Sequence, residues 1–485
     1  MAFLSFFKKK KYPIVLKRDS HSISPGMVDP GALFVMRRLR QSGFEAYLVG
    51  GCVRDILLGR NPKDFDVTTD ARPNQVKRLF RKCFLIGRRF RLAHVYTGTD
   101  EFIEVATFRA LVDAEEEGIS KVAANNVFGT IEEDALRRDF TINALYLNSA
   151  DLSVVDFTGG LRDIKKKLLR SIGDPVQRFS DDPVRMVRLA RFCAMLGFSP
   201  SREDHRAARL LAHHIKDANA NRMLDEMYKI FKCGASAGTF ARLWEFGVLQ
   251  HWIPELAPER YRDPLMKRLA VIDERRARGE EIPGNVIIAA LFYDVFSGAE
   301  GASGSLQDAL HAIHKRHHEL AVRLRLPRVE WEKVCNTVAR QTVFTRPEGG
   351  KKWSQFRAKF VRNAYFPDAL TFFEIMVKAT GRDESELRAW WRQTPEGERS
   401  AHGDIRSRSD RTPSRRRGRG PRDGEPRTDH TAPAEDSAIA HNVDATPIDG
   451  QAADSGTGAP KKKRRRRGGK RRRGGPRPEA QPASL

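Results

Sequence analysis

The stretch Leu48-Val49-Gly50-Gly51-Cys52-Val53-Arg54-Asp55, followed by Pro62-Lys63-Asp64-Phe65-Asp66, decides how this chain is read. Ala46 to Val49 is a short apolar run that ends in paired glycines, the pattern of a strand entering a tight turn. Val53 to Leu58 continues as a short helix. Glycines at a strand-to-helix turn let backbone N–H groups come close to a phosphate. Arg54 adds a charged, bidentate phosphate contact. In Asp64-Phe65-Asp66 the carboxylates are two apart, and on a strand that spacing points both to one face. Such a pair holds Mg²⁺ through oxygen and leaves positions open for substrate phosphates. Two ions held this way activate a ribose 3′-OH and stabilise a leaving pyrophosphate in an in-line displacement. A lone GG or DxD is common, and the information lies in the combination at this spacing. No GxxxxGK[ST] stands near the turn, which excludes a P-loop ATPase.

Outward from this stretch, Phe65 to Val67 and Phe102 to Thr107 alternate like strands of one sheet. Arg72 to Arg81 reads as an amphipathic helix with Pro73 near its start. From Asp181 onward the period is helical. Val184, Val187, Leu189, Phe192 and Leu196 fall on or near one face, and Arg185, Arg188 and Arg191 share a second face at intervals of three. By itself such a charge run is a solvated face. Further helices are expected over Met223 to Phe231, Gly238 to Phe246, Leu306 to Leu324 and Pro367 to Ala379. The fold class is therefore α+β: a head with a small mixed sheet, then an all-helical body. After Trp391 apolar residues nearly vanish and Ser, Arg, Gly, Pro, Asp and Ala dominate, so this tail is expected to be disordered. The expected divisions are a disordered basic leader over 1–28, a catalytic head over 29–170, a helical neck over 171–235, a helical body over 236–391 and a basic tail over 392–485.

The chain has 485 residues, more than one ordinary core accommodates. Lys plus Arg number 87 and Asp plus Glu 62, a net charge of +25 that points to a polyanionic partner. The five cysteines are scattered with no CxxC pair, which fits a reducing cytosol and neither a disulfide framework nor a zinc site. The N-terminal MAFLSFFKKKKY has its lysines after a short apolar run, the reverse of a signal peptide. No stretch approaches the length of a membrane helix, so the expected location is the cytoplasm.

These residues resemble a family. GGCVRD and PKDFDVTT are similar to the class II branch of the nucleotidyltransferase superfamily, which contains bacterial poly(A) polymerases and CCA-adding tRNA enzymes. Three later segments carry the same resemblance in order: RRDFTINAL from Arg137 to Leu145, DFTGGLRD from Asp156 to Asp163, and Asp181-Asp182-Pro183-Val184-Arg185-Met186-Val187-Arg188, with Asp where the family more often has Glu. The resemblance implies a polymerase-beta-like head in which Asp64 and Asp66 ligate Mg²⁺, with Mn²⁺ as the alternative. It implies nucleotide contacts from Gly50, Gly51, Arg54 and Arg138, and a catalytic role for Asp139. It places Asp182, Arg185 and Arg188 on a helix that reads the nucleotide base. Glu104, on a predicted strand, competes with Asp139 as the third acid.

Two activities share these motifs. The segment Leu85 to Val95, containing Gly87-Arg88-Arg89-Phe90-Arg91, resembles an element of Gram-negative poly(A) polymerases, and Arg88 and Arg89 are positioned to touch RNA phosphates. The basic blocks of the tail, including Lys461, Arg465 and Arg471, would hold RNA backbone without sequence preference. Both features favour polyadenylation of RNA 3′ ends from ATP over CCA addition from CTP and ATP. A non-catalytic RNA-binding protein on a transferase fold is the reading from another class, and the intact Asp64/Asp66 pair argues against it. Phe356, Phe360, Tyr365 and Phe366, interleaved with basic residues, read chiefly as helix core. Asp294 lacks the histidine of an HD pair, so no hydrolase is expected.

Overall fold

The run Ala46–Val49 is a central strand of an eight-stranded sheet. The computed structural model describes residues 12–87, 91–98, 101–110, 127–297, 306–344 and 350–381, with side chains in the last segment from 356 onward. In chain order the head comprises β1 (Ile14–Leu16), α1 (Pro30–Gln41), β2 (Ala46–Val49), α2 (Gly51–Leu57), β3 (Asp66–Thr69), α3 (Pro73–Leu79), β4 (Cys83–Ile86), β5 (Leu92–Tyr96), β6 (Phe102–Thr107), α4 (Ile131–Leu136), β7 (Leu145–Asn148) and β8 (Val154–Asp156). The strand order is β1-β8-β7-β2-β3-β6-β5-β4. The β3–β6 pair is parallel and its neighbours are antiparallel, so the sheet is mixed.

Strand alternation assigns the two faces. Leu48, Val67, Val95 and Val105 point to a core closed by Val35 and Leu39 of α1 and Val53 of α2. Val49 points the other way, with Tyr146, Ala135, Phe157 and Ile172. Local signals start the covering helices. Asp29 accepts from the Ala32 N–H at 2.8 Å ahead of Pro30. Thr130 and Glu133 form a capping box at the start of α4. The DFTGGLRD segment is a fold device. Asp156, fully buried, accepts from the N–H groups of Thr158, Gly159, Gly160 and Leu161 and so seats α5 (Gly160–Lys165). A Cβ on Gly160 would lie 2.3 Å from the Thr141 carbonyl oxygen, so only glycine permits this approach.

The helical part begins with α6 (Pro175–Asp181), α7 (Val184–Leu196), α8 (Arg202–Leu210), α9 (Ala220–Lys232), α10 (Ser236–Glu245) and α11 (Leu249–Trp252). It continues through α12 (Arg262–Ala277), α13 (Gly284–Ser297), α14 (Leu306–Arg323), α15 (Arg328–Ala339), α16 (Gln341–Phe344), α17 (Gly350–Val361) and α18 (Phe366–Thr380). One core runs through them, from Val187 and Ala190 through Met227, Phe231, Phe240, Leu269 and Phe292 to Phe372. Burying each large apolar side chain contributes about 1.5–3 kcal/mol. Phe140 and Ile142 of the head belong to this same core. Phe360 and Phe366 are buried in a smaller aromatic cluster with Phe344 and Phe373.

The structure corrects several expectations. Residues 12–28, expected within a disordered leader, join the head. β1 pairs antiparallel with β8, His21 Nε2 lies 2.8 Å from the Leu152 oxygen, and Ile23 and Val28 enter the core. Their apolar side chains found a sheet edge that the basic composition concealed. The helical part starts at Pro175, capped by Asp174, and not at Asp181. No break in packing falls at residue 235, because Phe231 and Phe240 sit either side of it with ring centroids 6.2 Å apart. All five cysteines are free thiols. No helix of the described residues is long and apolar enough to cross a membrane.

Candidate active site

Gly50 joins β2 to α2 at φ +82°, a left-handed conformation that a side chain resists. A Cβ there would lie 3.4 Å from Arg138 Nη1, so one arm of the Arg138 fork reaches the glycine turn. The rest of that guanidinium is held from behind: Nη2 donates to Asp134 at 3.0 Å and Nε to the Tyr146 hydroxyl at 3.2 Å. Tyr146 in turn donates to Asp134 at 2.9 Å. Arg54, nearly fully buried, donates to Asn143 Oδ1 at 2.6 Å and to Asp55 at 2.8 Å.

Asp66 opens β3 and pairs with Val49 at the mouth of the turn. One step back from the Val67–Val105 register, it lies beside Glu104 of β6. Asp64 precedes the strand, so the two carboxylates do not alternate along one strand as the spacing suggested. The loop brings them together instead. The Asp66 carboxyl is pushed up to about 6, first by the protein packed around it and then by the Glu104 and Asp64 charges, with Arg138 opposing. Its side chain still reaches solvent, so it sits in a cleft with an open mouth. Glu104 also faces His94 Nε2 at 3.4 Å.

Among the described residues no group of three His, Cys, Asp or Glu side chains closes around a metal. That suits Mg²⁺, which takes one or two carboxylates and fills its other positions with water and substrate phosphates. Carboxylates that repel one another at an open mouth supply the oxygen donors a hard divalent ion takes, and in that respect the residues fit one.

Asp139 is turned to another task. Burial alone would raise its carboxyl, but Arg188 at 2.6 Å outweighs that and, with hydrogen bonds from Asn143 Nδ2 and the Phe140 N–H, holds it well below the usual carboxylate range. Arg188 also bonds Glu226 of α9 at 3.0 Å, and Glu226 takes Arg191 at 3.0 Å. The guanidinium groups of Arg54, Arg188 and Arg191 lie 4.4–5.3 Å from the Phe192 ring centroid. Arg188 and Arg191, whose spacing alone reads as a solvated face and which the resemblance turns toward the site, belong to a partly buried network that runs from the glycine turn through Asn143 and Asp139 into the neck.

Asp182 is not on the helix. It lies in the break between α6 and α7, where Pro183 ends the first helix and caps the second. It still lies near Arg185, with Nε 3.7 Å from Oδ2, and Arg222 of α9 grips it with two bonds at 2.9 and 2.8 Å. Asn143, Asp134, Tyr146, Glu226 and Arg222 were not singled out from sequence. Asn143 stands inside the quoted RRDFTINAL segment, so its signal was present. Asp134 and Tyr146 flank that segment, whereas Arg222 and Glu226 are distant in sequence and meet the site only through packing. Arg88, Arg89, Lys461, Arg465 and Arg471 lie outside the described residues.

Comparison with known proteins agrees with this geometry. The family model for the poly A polymerase head domain matches residues 46–170, and the one described as "Probable RNA and SrmB- binding site of polymerase A" matches residues 197–260. The chain is 43% identical to poly(A) polymerase I of Haemophilus influenzae over 294 residues, 58% of this chain and 65% of that protein. It is 35% identical to poly(A) polymerase I of Escherichia coli over 443 residues, 86% of this chain and 94% of that protein. Among solved structures, the CCA-adding enzyme of Bacillus stearothermophilus in complex with CTP superposes with a TM-score of 0.55 at 25% identity, covering 76% of this chain and 82% of that one. Likeness that extends from the glycine turn through the helical body over nearly the whole length of such an enzyme means that the chain belongs to the poly(A) polymerase family of nucleotidyltransferases.

Proposed function

We propose that this protein extends RNA 3′ ends without a template, transferring AMP from ATP to the terminal 3′-OH with release of pyrophosphate, in RNA processing and decay. The observation that carries the proposal is the convergence of Asp66, Asp64 and Glu104 on the open mouth beside the Gly50 turn and Arg138. A divalent cation, Mg²⁺ or Mn²⁺, supplies Lewis acidity to the 3′-OH and to the triphosphate when bound there. Asp64 and Asp66 would hold it, with Glu104 as the third carboxylate of the site. Arg138 and the N–H groups after Gly50 hold the triphosphate. Asp139 positions Arg188 and Asn143 by accepting a hydrogen bond from each. Asp182 and Arg185 read the base, the first accepting from an exocyclic amine and the second donating to the ring.

The sequence aligns with poly(A) polymerase I of Escherichia coli over 86% of its length and with CCA-adding enzymes of three Bacillus species over 41–45% of it. This supports ATP as substrate. The test is extension of a labelled, unstructured RNA with each nucleoside triphosphate supplied alone and Mg²⁺ present. Long products with ATP alone are expected, and chelation should stop them. Addition of only two C and one A to a truncated tRNA would establish the CCA-adding reaction instead.

A further inference from the structure

The outer strands of the head sheet carry an aromatic surface that the proposed chemistry does not use. The register joins it to the carboxylates. Glu104 pairs with His94, and His94 pairs with Phe84, so a single rung runs Asp66, Glu104, His94, Phe84 across β3, β6, β5 and β4. Directly opposed residues point to one face of a sheet. On the next rung Tyr96 pairs with Phe102. The opposite face of the same strands, with Cys83, Ala93, Val95, Ile103 and Val105, is buried. On the carboxylate side Phe84 is 60% exposed, Ile86 47% and Phe102 41%.

The rings are ordered with respect to one another. His94 stacks on Phe102 at 4.3 Å with planes 8° apart. Tyr96 bridges Phe102 at 5.5 Å and Phe84 at 5.6 Å. Four aromatic side chains on a solvent-facing sheet cost solubility and expose an edge unless something covers them. The surface starts one strand from Glu104 and ends about 14 Å from Asp66, three strand spacings away. That is the span of a short run of nucleotides behind a 3′ end. Lys82, exposed, precedes Phe84 by two residues, and its carbonyl accepts from the Tyr96 N–H, which sets a cation at the border of the rings.

We infer that the β4–β5–β6 face, through Phe84, Tyr96 and the His94–Phe102 stack, is the platform on which the last unpaired bases of the RNA primer stack, delivering its 3′-OH to the Asp66 mouth. The occupant is single-stranded RNA because the rings are continuous with the transfer site. Ring faces bind any base and therefore suit an enzyme that extends RNA without a template. This assignment rests on the transferase reading above.

The test compares Phe84→Leu, Tyr96→Leu and the control Phe34→Leu in the full-length protein. Leucine keeps the apolar bulk and removes the ring. Phe34 is 55% exposed on α1, away from the rung. Binding is read on a 3′-deoxy oligoadenylate by fluorescence anisotropy, which requires no catalysis, and the Michaelis constant for RNA is read in extension assays. Phe84→Leu and Tyr96→Leu should each raise the dissociation constant and the RNA Michaelis constant by about fivefold or more, with the control unchanged. Tyr96→Phe, which keeps the ring, should restore tight binding. Wild-type affinity in both leucine variants would overturn the platform. So would a concentration-dependent dimer of the wild-type protein that dissociates on Phe84→Leu while RNA binding is unaffected. A wild-type protein that fails to extend RNA would defeat the transferase reading, while the anisotropy comparison would still decide the platform.

Discussion

Asp66, proposed as a metal ligand, is a side chain whose charge works against its own fold. Its carboxyl is crowded by Glu104 and Asp64 and pushed up to about 6, so its charge costs stability while no cation is present. Asp66→Asn should therefore raise the unfolding midpoint of the chelated protein in urea and lower AMP transfer by more than about a hundredfold, since even residues that only support a metal ligand are worth 10–100-fold. Asp139 behaves in the opposite way. Its carboxyl is held below the usual range by Arg188, so its ion pair stabilises the fold above the unfolded carboxylate pKa of about 3.9 and is lost as pH falls through the lower folded value. Asp139→Asn should cost about 3 kcal/mol at neutral pH, because Arg188 loses its closest partner in a partly buried setting. Urea unfolding should show that gap constant down to about pH 4 and narrowing below it. The same comparison explains what the RRDFTINAL segment disclosed. Asp139 was identifiable as important, but its role was not, because nothing local indicates that Arg188, 49 positions on, takes its oxygen.

At the scale of elements, the break between α6 and α7 sets how Asp182 and Arg185, the pair proposed to read the base, are held. Two aspartates, a proline and an arginine in sequence read as the start of a helix, and three residues apart on a helix is a shared face. Pro183 shifts the boundary, so Asp182 is held from α9 by Arg222. The Arg222 side chain is largely exposed, so Arg222→Gln should lower stability by less than about 1 kcal/mol. It should nevertheless lower the ratio of kcat/KM for ATP over CTP, because Asp182 loses the two bonds that orient it. Steady-state kinetics with each nucleotide on one RNA primer checks this, and an unchanged ratio would remove Arg222 from nucleotide selection. Strand and helix positions were otherwise close to their sequence reading. Phe102–Thr107 is a strand with the bounds its alternation suggested, and the helix expected from Leu306 spans Leu306–Arg323. Long periodic segments are legible because burial of one face decides them.

At the scale of the molecule, charge and chemistry are divided along the chain. The head carries the carboxylates, the neck carries a network of arginines neutralised by Asp139 and Glu226, and the basic blocks lie after Trp391. Deleting residues 392–485 should weaken RNA affinity and flatten its dependence on salt, because fewer phosphates are neutralised by Lys and Arg side chains. Anisotropy titrations between low and physiological salt measure both, with single-turnover transfer expected to stay unchanged. An unaltered salt slope would make the tail irrelevant to RNA binding. One core explains why no break in packing marks residue 170 or 235: Phe140 of the head, Phe231 of α9 and Phe240 of α10 all belong to it.

The sequence by itself determined the class of fold, the glycine turn, the DxD pair and the helical periods, because each is a local pattern of side-chain type and spacing. Only the tertiary structure decided which carboxylates meet at the mouth, that Asp139 pairs with Arg188, that Arg222 holds Asp182 and Glu226 holds Arg188, and that Phe84 shares a rung with Asp66. Those facts depend on strand register and helix packing. Both are set by burial between segments far apart in the chain, which no local pattern encodes.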